Sequence, residues 1–230
     1  MTAPPRTSPP HPSRTDELRP ELRPRLRGVS HQWAFVLSIP AGVALVVAAD
    51  TLHARLAVGV YALSVAALFA SSALYHRITW ASPDARRRMR RVDHSAIFVL
   101  IAGTYTPFAL LAVGGMLGAA VLTGVWAGAL AGIAVRVAWS DAPRWATTGP
   151  YVVLGWVGVA GLPVLWDALG PVGLVLLLAG GVLYTLGAVT YARRRPDPVP
   201  SVFGYHEVFH ALVVGAVALH YACVAYWAVR

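Results

Sequence analysis

Gly204-Tyr205-His206-Glu207-Val208-Phe209-His210, running on into Ala211-Leu212-Val213-Val214-Gly215-Ala216-Val217-Ala218-Leu219, puts two histidines four residues apart at the head of an apolar run. At helical spacing the two imidazoles lie one above the other on one face and can reach a single ion. The run behind them reads as a membrane span. Ionisable groups inside a membrane are costly, so these histidines are expected to have partners elsewhere in the chain.

The composition agrees with a membrane setting. With 57% hydrophobic and 13% charged residues, the 230-residue chain has too few charges to cover a soluble globule. Seven segments are long and apolar enough to cross a bilayer, near 32–49, 56–76, 93–113, 115–136, 149–166, 171–191 and 206–228. The expected fold is therefore an all-α membrane protein, a seven-transmembrane helix bundle joined by short connections. Pro40, Pro107 and Pro163 fall inside spans and are expected to kink them. Gly124, Gly128 and Gly132 form a small-residue row suited to close helix packing. Residues 1–30, rich in Pro, Arg and Ser and without an apolar core, read as a disordered basic cytosolic tail rather than a cleaved signal peptide. The seven-helix domain then occupies 31–230.

Charge placement orients the bundle. With the N-terminus cytosolic, only Arg55 and Arg230 of the 19 basic residues, all arginine, fall on the outer side. The C-terminus is then extracytoplasmic. The arginines follow loops and form no basic face, so the positive charge does not point to nucleic acid. Cys223 is the only cysteine, which rules out an internal disulfide and a cysteine-rich zinc site. Heavy use of Ala, Gly and Arg fits a GC-rich bacterial genome, and the expected location is a bacterial cell (inner) membrane.

This topology fixes depth. His76 ends the second span, Asp93 and His94 open the third, and His206 and His210 open the seventh, so all five lie toward the cytosolic side. His11, His31, His53 and His220 are expected to lie apart from them; His220 is about 15 Å beyond His210 along the helix at 1.5 Å per residue. His76, His206 and His210 supply three neutral nitrogens, the number a catalytic zinc uses while keeping a fourth position open. Nickel, cobalt and iron accept the same ligand type. Asp93 is a candidate general base, and Ser72, one turn before His76, offers a hydroxyl to a water or an oxyanion. Each residue taken alone has a plainer reading. His76 is an interfacial polar group, Asp93 an N-cap or arginine partner, Ser72 a hydroxyl bonded to the carbonyl one turn back, and His94 a structural neighbour.

Ser72-Ala-Leu-Tyr-His76, Arg91-Val-Asp93-His94-Ser-Ala-Ile-Phe-Val-Leu-Ile-Ala-Gly-Thr-Tyr105-Thr-Pro107 and His206-Glu-Val-Phe-His210 resemble the three signature blocks of the hemolysin III family. That family is related to the progestin and adipoQ receptors and more distantly to the alkaline ceramidases. The resemblance extends from about residue 30 through nearly the whole chain. It implies a seven-helix fold with a cytosolic-side zinc on His76, His206 and His210, and with Asp93 and Ser72 beside the water. In the relatives such a site is tied to hydrolysis of amide-linked lipids. His94 follows the bacterial pattern, so receptor ligands do not carry over.

The leading expectation is a zinc-dependent hydrolase of amide- or ester-linked lipids entering from the bilayer. His206-Glu207-Val-Phe-His210 also satisfies H-E-x-x-H, which would make Glu207 the base of an intramembrane metalloprotease. The position of Asp93 and its surrounding block argue against that, and Glu207 reads better as an interfacial or supporting residue. A third reading is non-enzymatic: a structural zinc locking helices in a regulator of membrane lipid state, or in a cytolytic hemolysin. Three histidines leave an ion unsaturated, whereas structural zinc is normally saturated by protein. The spans show no polar stripe suited to a pore.

Overall fold

The computed structural model describes residues 24–139 and 144–228, and among them every regular element is a helix. These are α1 (Val29–Ala48), α2 (Leu52–Arg77), α3 (Pro83–Pro107), α4 (Gly115–Ala138), α5 (Arg144–Trp156), α6 (Leu162–Arg193) and α7 (Tyr205–Ala228). Most of the tail expected over 1–30 lies outside the described residues, as does His11.

Local chemistry sets the helix starts. Thr51 accepts a hydrogen bond from the Ala54 N–H ahead of α2, and Ser82 accepts one from the Ala85 N–H ahead of α3, where Pro83 occupies the first turn. Helix α3 thus begins ten residues before the apolar run and carries the Arg86–Arg91 cluster on its first turns. A π-helical stretch, Phe108–Val113, follows Pro107, in keeping with a proline that cannot continue the ladder. Pro163 sits in the first turn of α6, where proline is well tolerated, and not in mid-helix as expected.

The outer surface is apolar. Met116, Leu63 and Val47 are exposed, while the interior combines Tyr61, Phe69, Leu100 and Val217 with buried polar groups. This inverts the soluble pattern and suits a hydrocarbon surround. Among the described residues, six helices are long and apolar enough to cross a membrane: α1, α2, α3 with its extension to Val113, α4, α6 and α7. Thr148–Val159 is a shorter apolar helix. The expected fifth span is therefore not one uninterrupted helix: α5 passes through a 3₁₀ stretch, Val157–Gly161, into the start of α6.

Helix α6 is itself broken. Gly170 has φ 67° and ψ 179°, a region essentially reserved for glycine. Gly114, between α3 and α4, has nearly the same values, φ 64° and ψ −176°. Across the Gly170 break the Trp156 indole N–H donates to Thr185 Oγ1 at 2.8 Å. Twenty-nine residues of straight helix would hold those groups about 43 Å apart at 1.5 Å per residue, so the chain doubles back between them. In the expected glycine row, a side chain at Gly132 would strike the Phe98 ring and one at Gly128 would press on Leu154, while Gly124 faces open space. Two of the three therefore serve helix packing. Helix α7 packs most extensively on α6 and also reaches α1, α2 and α3.

Candidate metal centre

The start of α1, the end of α2 and the start of α7 meet at one end of the bundle. There His76 Nε2 lies 3.1 Å from His206 Nε2. The His206 and His210 rings are 4.5 Å apart, and those of His76 and His210 are 5.1 Å apart. One nitrogen from each of the three lies within 4.8 Å of the others. His206 and His210 are buried and His76 half-buried.

This set fits a metal ion. Two nitrogens each 2.0–2.1 Å from a tetrahedral ion are about 3.3 Å apart, close to the His76–His206 separation. His210 Nδ1 is buried without a hydrogen-bond partner among the described residues, an omission that proteins rarely tolerate. Three helical histidines from two helices can hold an ion and leave one direction open.

A cavity of about 140 Å³ adjoins His206 and His210. Its walls are largely apolar, with Leu68, Ile97, Leu100 and Val213 among them, and its polar residues include His31, Ser72 and Asp93 beside His206 and His210. Asp93 is buried nearly three turns into α3, well past the Ser82 cap, so it is not an N-cap. The buried Ser72 hydroxyl lies 2.7 Å from His31 Nδ1 and lines the same cavity as the Asp93 carboxyl. The five residues expected at the site, His76, His206, His210, Asp93 and Ser72, are therefore brought together.

His94, the next residue on α3, turns toward Arg136 of α4, whose Nη2 lies 2.6 Å and Nε 3.1 Å from His94 Nδ1. Glu207 also points away from the triad. Its Oε2 accepts the Gly204 N–H at 2.9 Å, its Oε1 pairs with Arg27, and Asp197 accepts the Tyr205 N–H. These contacts close the N-terminus of α7, where unsatisfied N–H groups favour carboxylates.

The expectation that His31 lies apart from the site is wrong. It is 2% exposed, its Nδ1 is 2.7 Å from Ser72 Oγ, and its ring stacks on His210 at 3.7 Å between centroids with the planes 12° apart. Helix α1 starts at Val29, before the apolar run, and its start lies level with the end of the antiparallel α2. The alternation of span direction carried that signal. Gly28, with φ 76°, lets the chain enter α1 against His76: a side chain there would come within 2.6 Å of His76 Cβ. Of the other histidines set aside, His53 is exposed and His220 lines the cavity, its Nε2 3.0 Å from the Leu177 carbonyl oxygen.

An all-helical bundle with an apolar exterior and three clustered histidines at one end defines a multi-pass membrane protein able to hold a metal ion. A family model described as haemolysin-III related matches residues 21–221, and the chain belongs to that family. It is 34% identical over 202 residues to "Hemolysin-3" of Bacillus cereus, covering 86% of this chain and 89% of the relative. It is 33% identical over 205 residues to the "Hemolysin-3 homolog" of Bacillus subtilis (strain 168), covering 88% and 92%. A more distant similarity, 23% over 195 residues, covering 84% of this chain and 79% of the relative, links it to the human "Monocyte to macrophage differentiation factor".

Proposed function

We propose that this chain is a zinc-dependent membrane hydrolase of amide- or ester-linked lipids. His76, His206 and His210 hold the ion, and Asp93 and Ser72 act beside it. The observation that carries this reading is the buried Asp93 carboxyl in the same largely apolar cavity as His206 and His210, with His76 within 4.8 Å of both. A zinc ion held there supplies a Lewis acid and brings the pKa of its water to about 7. Asp93 takes a proton from the attacking water as its oxygen bonds to the carbonyl carbon. It returns that proton to the leaving nitrogen or oxygen as the old bond breaks, releasing a fatty acid and an amine or alcohol. Ser72, in the same cavity, offers a hydroxyl to the Asp93 carboxyl or to the attacking water. The apolar walls favour a lipid that enters sideways from the bilayer.

The reading includes a topology. Gly170 repeats the backbone conformation of the Gly114 corner, and the Trp156–Thr185 bond joins the two arms. The segments on either side of Gly170 then form a fifth and a sixth span, making seven, with the N-terminus cytosolic and the C-terminus outside a bacterial inner membrane. The engagement of Glu207 by Arg27 and the Gly204 N–H works against a protease base at that position. A non-enzymatic reading, a structural zinc in a regulator of lipid state or a cytolysin, draws on the names of the Bacillus relatives and on the way the triad ties α2 to α7.

Purified wild type, Asp93→Asn and His210→Ala, compared for bound metal and for fatty-acid release from amide-linked lipids, separate these readings. The hydrolase reading requires about one zinc per chain in wild type and in Asp93→Asn, loss in His210→Ala, and turnover in wild type alone. Zinc without turnover, together with an Asp93→Asn variant that only loses stability, favours the structural role.

A further inference from the structure

We infer that His31 is a positioning residue of the metal centre, holding Ser72 through Nδ1 and His210 through its ring face. This rests on the reading that the triad binds a metal ion. A histidine at the start of a span is ordinarily an interfacial group with its ring toward headgroups and water. His31 instead is 2% exposed and makes two contacts to the site: the 2.7 Å bond to Ser72 and the stack on His210 with ring centroids 3.7 Å apart. Phe69 meets the His31 ring edge-on at 5.1 Å, so the imidazole is fixed between a packing residue and the site.

Proton counting gives the bond a direction. Ser72 has one hydroxyl hydrogen and shares the cavity with the Asp93 carboxylate; with that hydrogen turned to the carboxylate, its bond to His31 is donated by His31 Nδ1–H. His31, Ser72 and Asp93 then form one chain of donors ending on the carboxylate. The other contact acts on the ligand itself. A nearly parallel ring against His210 limits rotation about its side-chain torsions and keeps its nitrogen aimed at the point shared with His76 and His206. Groups that orient metal ligands in this way commonly change affinity or activity 10- to 100-fold when removed.

The two contacts are separable by substitution. His31→Phe keeps a ring against His210 and removes the bond to Ser72, whereas His31→Asn keeps a donor near the Nδ1 position and removes the ring. In detergent-purified full-length protein, His31→Phe is expected to bind zinc as wild type does while kcat for a lipid amide falls about 10- to 100-fold with KM nearly unchanged. His31→Asn is expected to recover most of kcat at saturating zinc, but to bind zinc about tenfold more weakly in chelator competition and to shift the visible spectrum of the cobalt-substituted site. Wild-type kcat in His31→Phe with wild-type metal affinity in His31→Asn would overturn the inference and leave His31 as packing. If wild type binds zinc but cleaves no lipid, the hydrolase reading fails alone, and affinity and the cobalt spectrum still decide the His210 contact. Absence of metal from folded wild type removes both readings.

Discussion

Arg27 Nε stands 2.6 Å from Glu207 Oε1, joining the residue that precedes α1 to the first turn of α7 across 180 positions of sequence. Backbone bonds from Arg25 N–H to the Ser201 carbonyl and from Leu26 N–H to the Val202 carbonyl run alongside. The Glu207 carboxylate is 2% exposed and Arg27 22%, so the pair is shielded on one side only. Arg27→Met strands a buried carboxylate and is expected to cost on the order of 2–4 kcal/mol, seen as a lower Tm in detergent. Glu207→Gln added to Arg27→Met should recover much of that loss, because the amide oxygen still accepts the Gly204 N–H. If the double variant is no more stable than Arg27→Met, charge burial is not the cause.

Gly28 bears directly on the histidine triad. A methyl group there meets His76 Cβ, and φ 76° disfavours any side chain. Gly28→Ala is expected to displace His76 and weaken zinc binding at least about tenfold, or about 1.4 kcal/mol. Chelator competition measures it, and Gly124→Ala, at a glycine facing open space, is the silent control.

Metal removal should act on stability as well as on chemistry. Zinc at about 100 times its Kd stabilises the fold by about 2.7 kcal/mol if the unfolded chain does not bind it. A chelator is therefore expected to lower the Tm of wild type and to leave that of His206→Ala unchanged. An equal drop in both would place the chelator-sensitive metal elsewhere.

Gly170 and Gly114 occupy a backbone region closed to other residues. Alanine at either position is expected to cost about 1–3 kcal/mol. Gly170→Ala should also loosen the Trp156–Thr185 contact, which tryptophan fluorescence can follow in a chain whose other exposed tryptophans are replaced. The same substitution at Gly155, which has open space around it, should be nearly neutral.

Topology can be read by labelling. In a Cys223→Ala background, Arg88→Cys is expected to resist an impermeant thiol reagent applied to intact cells, and His53→Cys to react with it. The opposite pattern would reverse the orientation inferred from arginine placement.

The sequence was most informative where a periodic feature met a costly one. His206 and His210 at helical spacing in an apolar run, and His76 and Asp93 at span ends, sufficed to assemble the site, because ionisable groups in a membrane have few places to go. His31 lies just ahead of the apolar run near 32–49, so hydropathy alone leaves it outside the first span. The helix itself starts earlier, where Gly28 turns the chain in against His76. The break at Gly170 was partly legible, since Gly-Pro divides the fifth and sixth apolar runs. Nothing in residue type announced that α5 would pass through a 3₁₀ stretch before it. The role of Glu207 was foreseeable only as support, because a helix N-terminus and a metal compete for the same carboxylate and the winner depends on Arg27, far away in sequence.

The site draws His76 and Asp93 from early helices and His206 and His210 from the last one. At about 5–20 residues per second, a ribosome needs roughly 6–23 s to travel from Asp93 to His210. During that interval α1, α2 and α3 are already made, and His76 waits for the two imidazoles of α7. Only completion of α7 supplies the remaining nitrogens. On the proposed reading, ion capture by this centre reports a finished chain, because one truncated before its final helix lacks two of the three histidines.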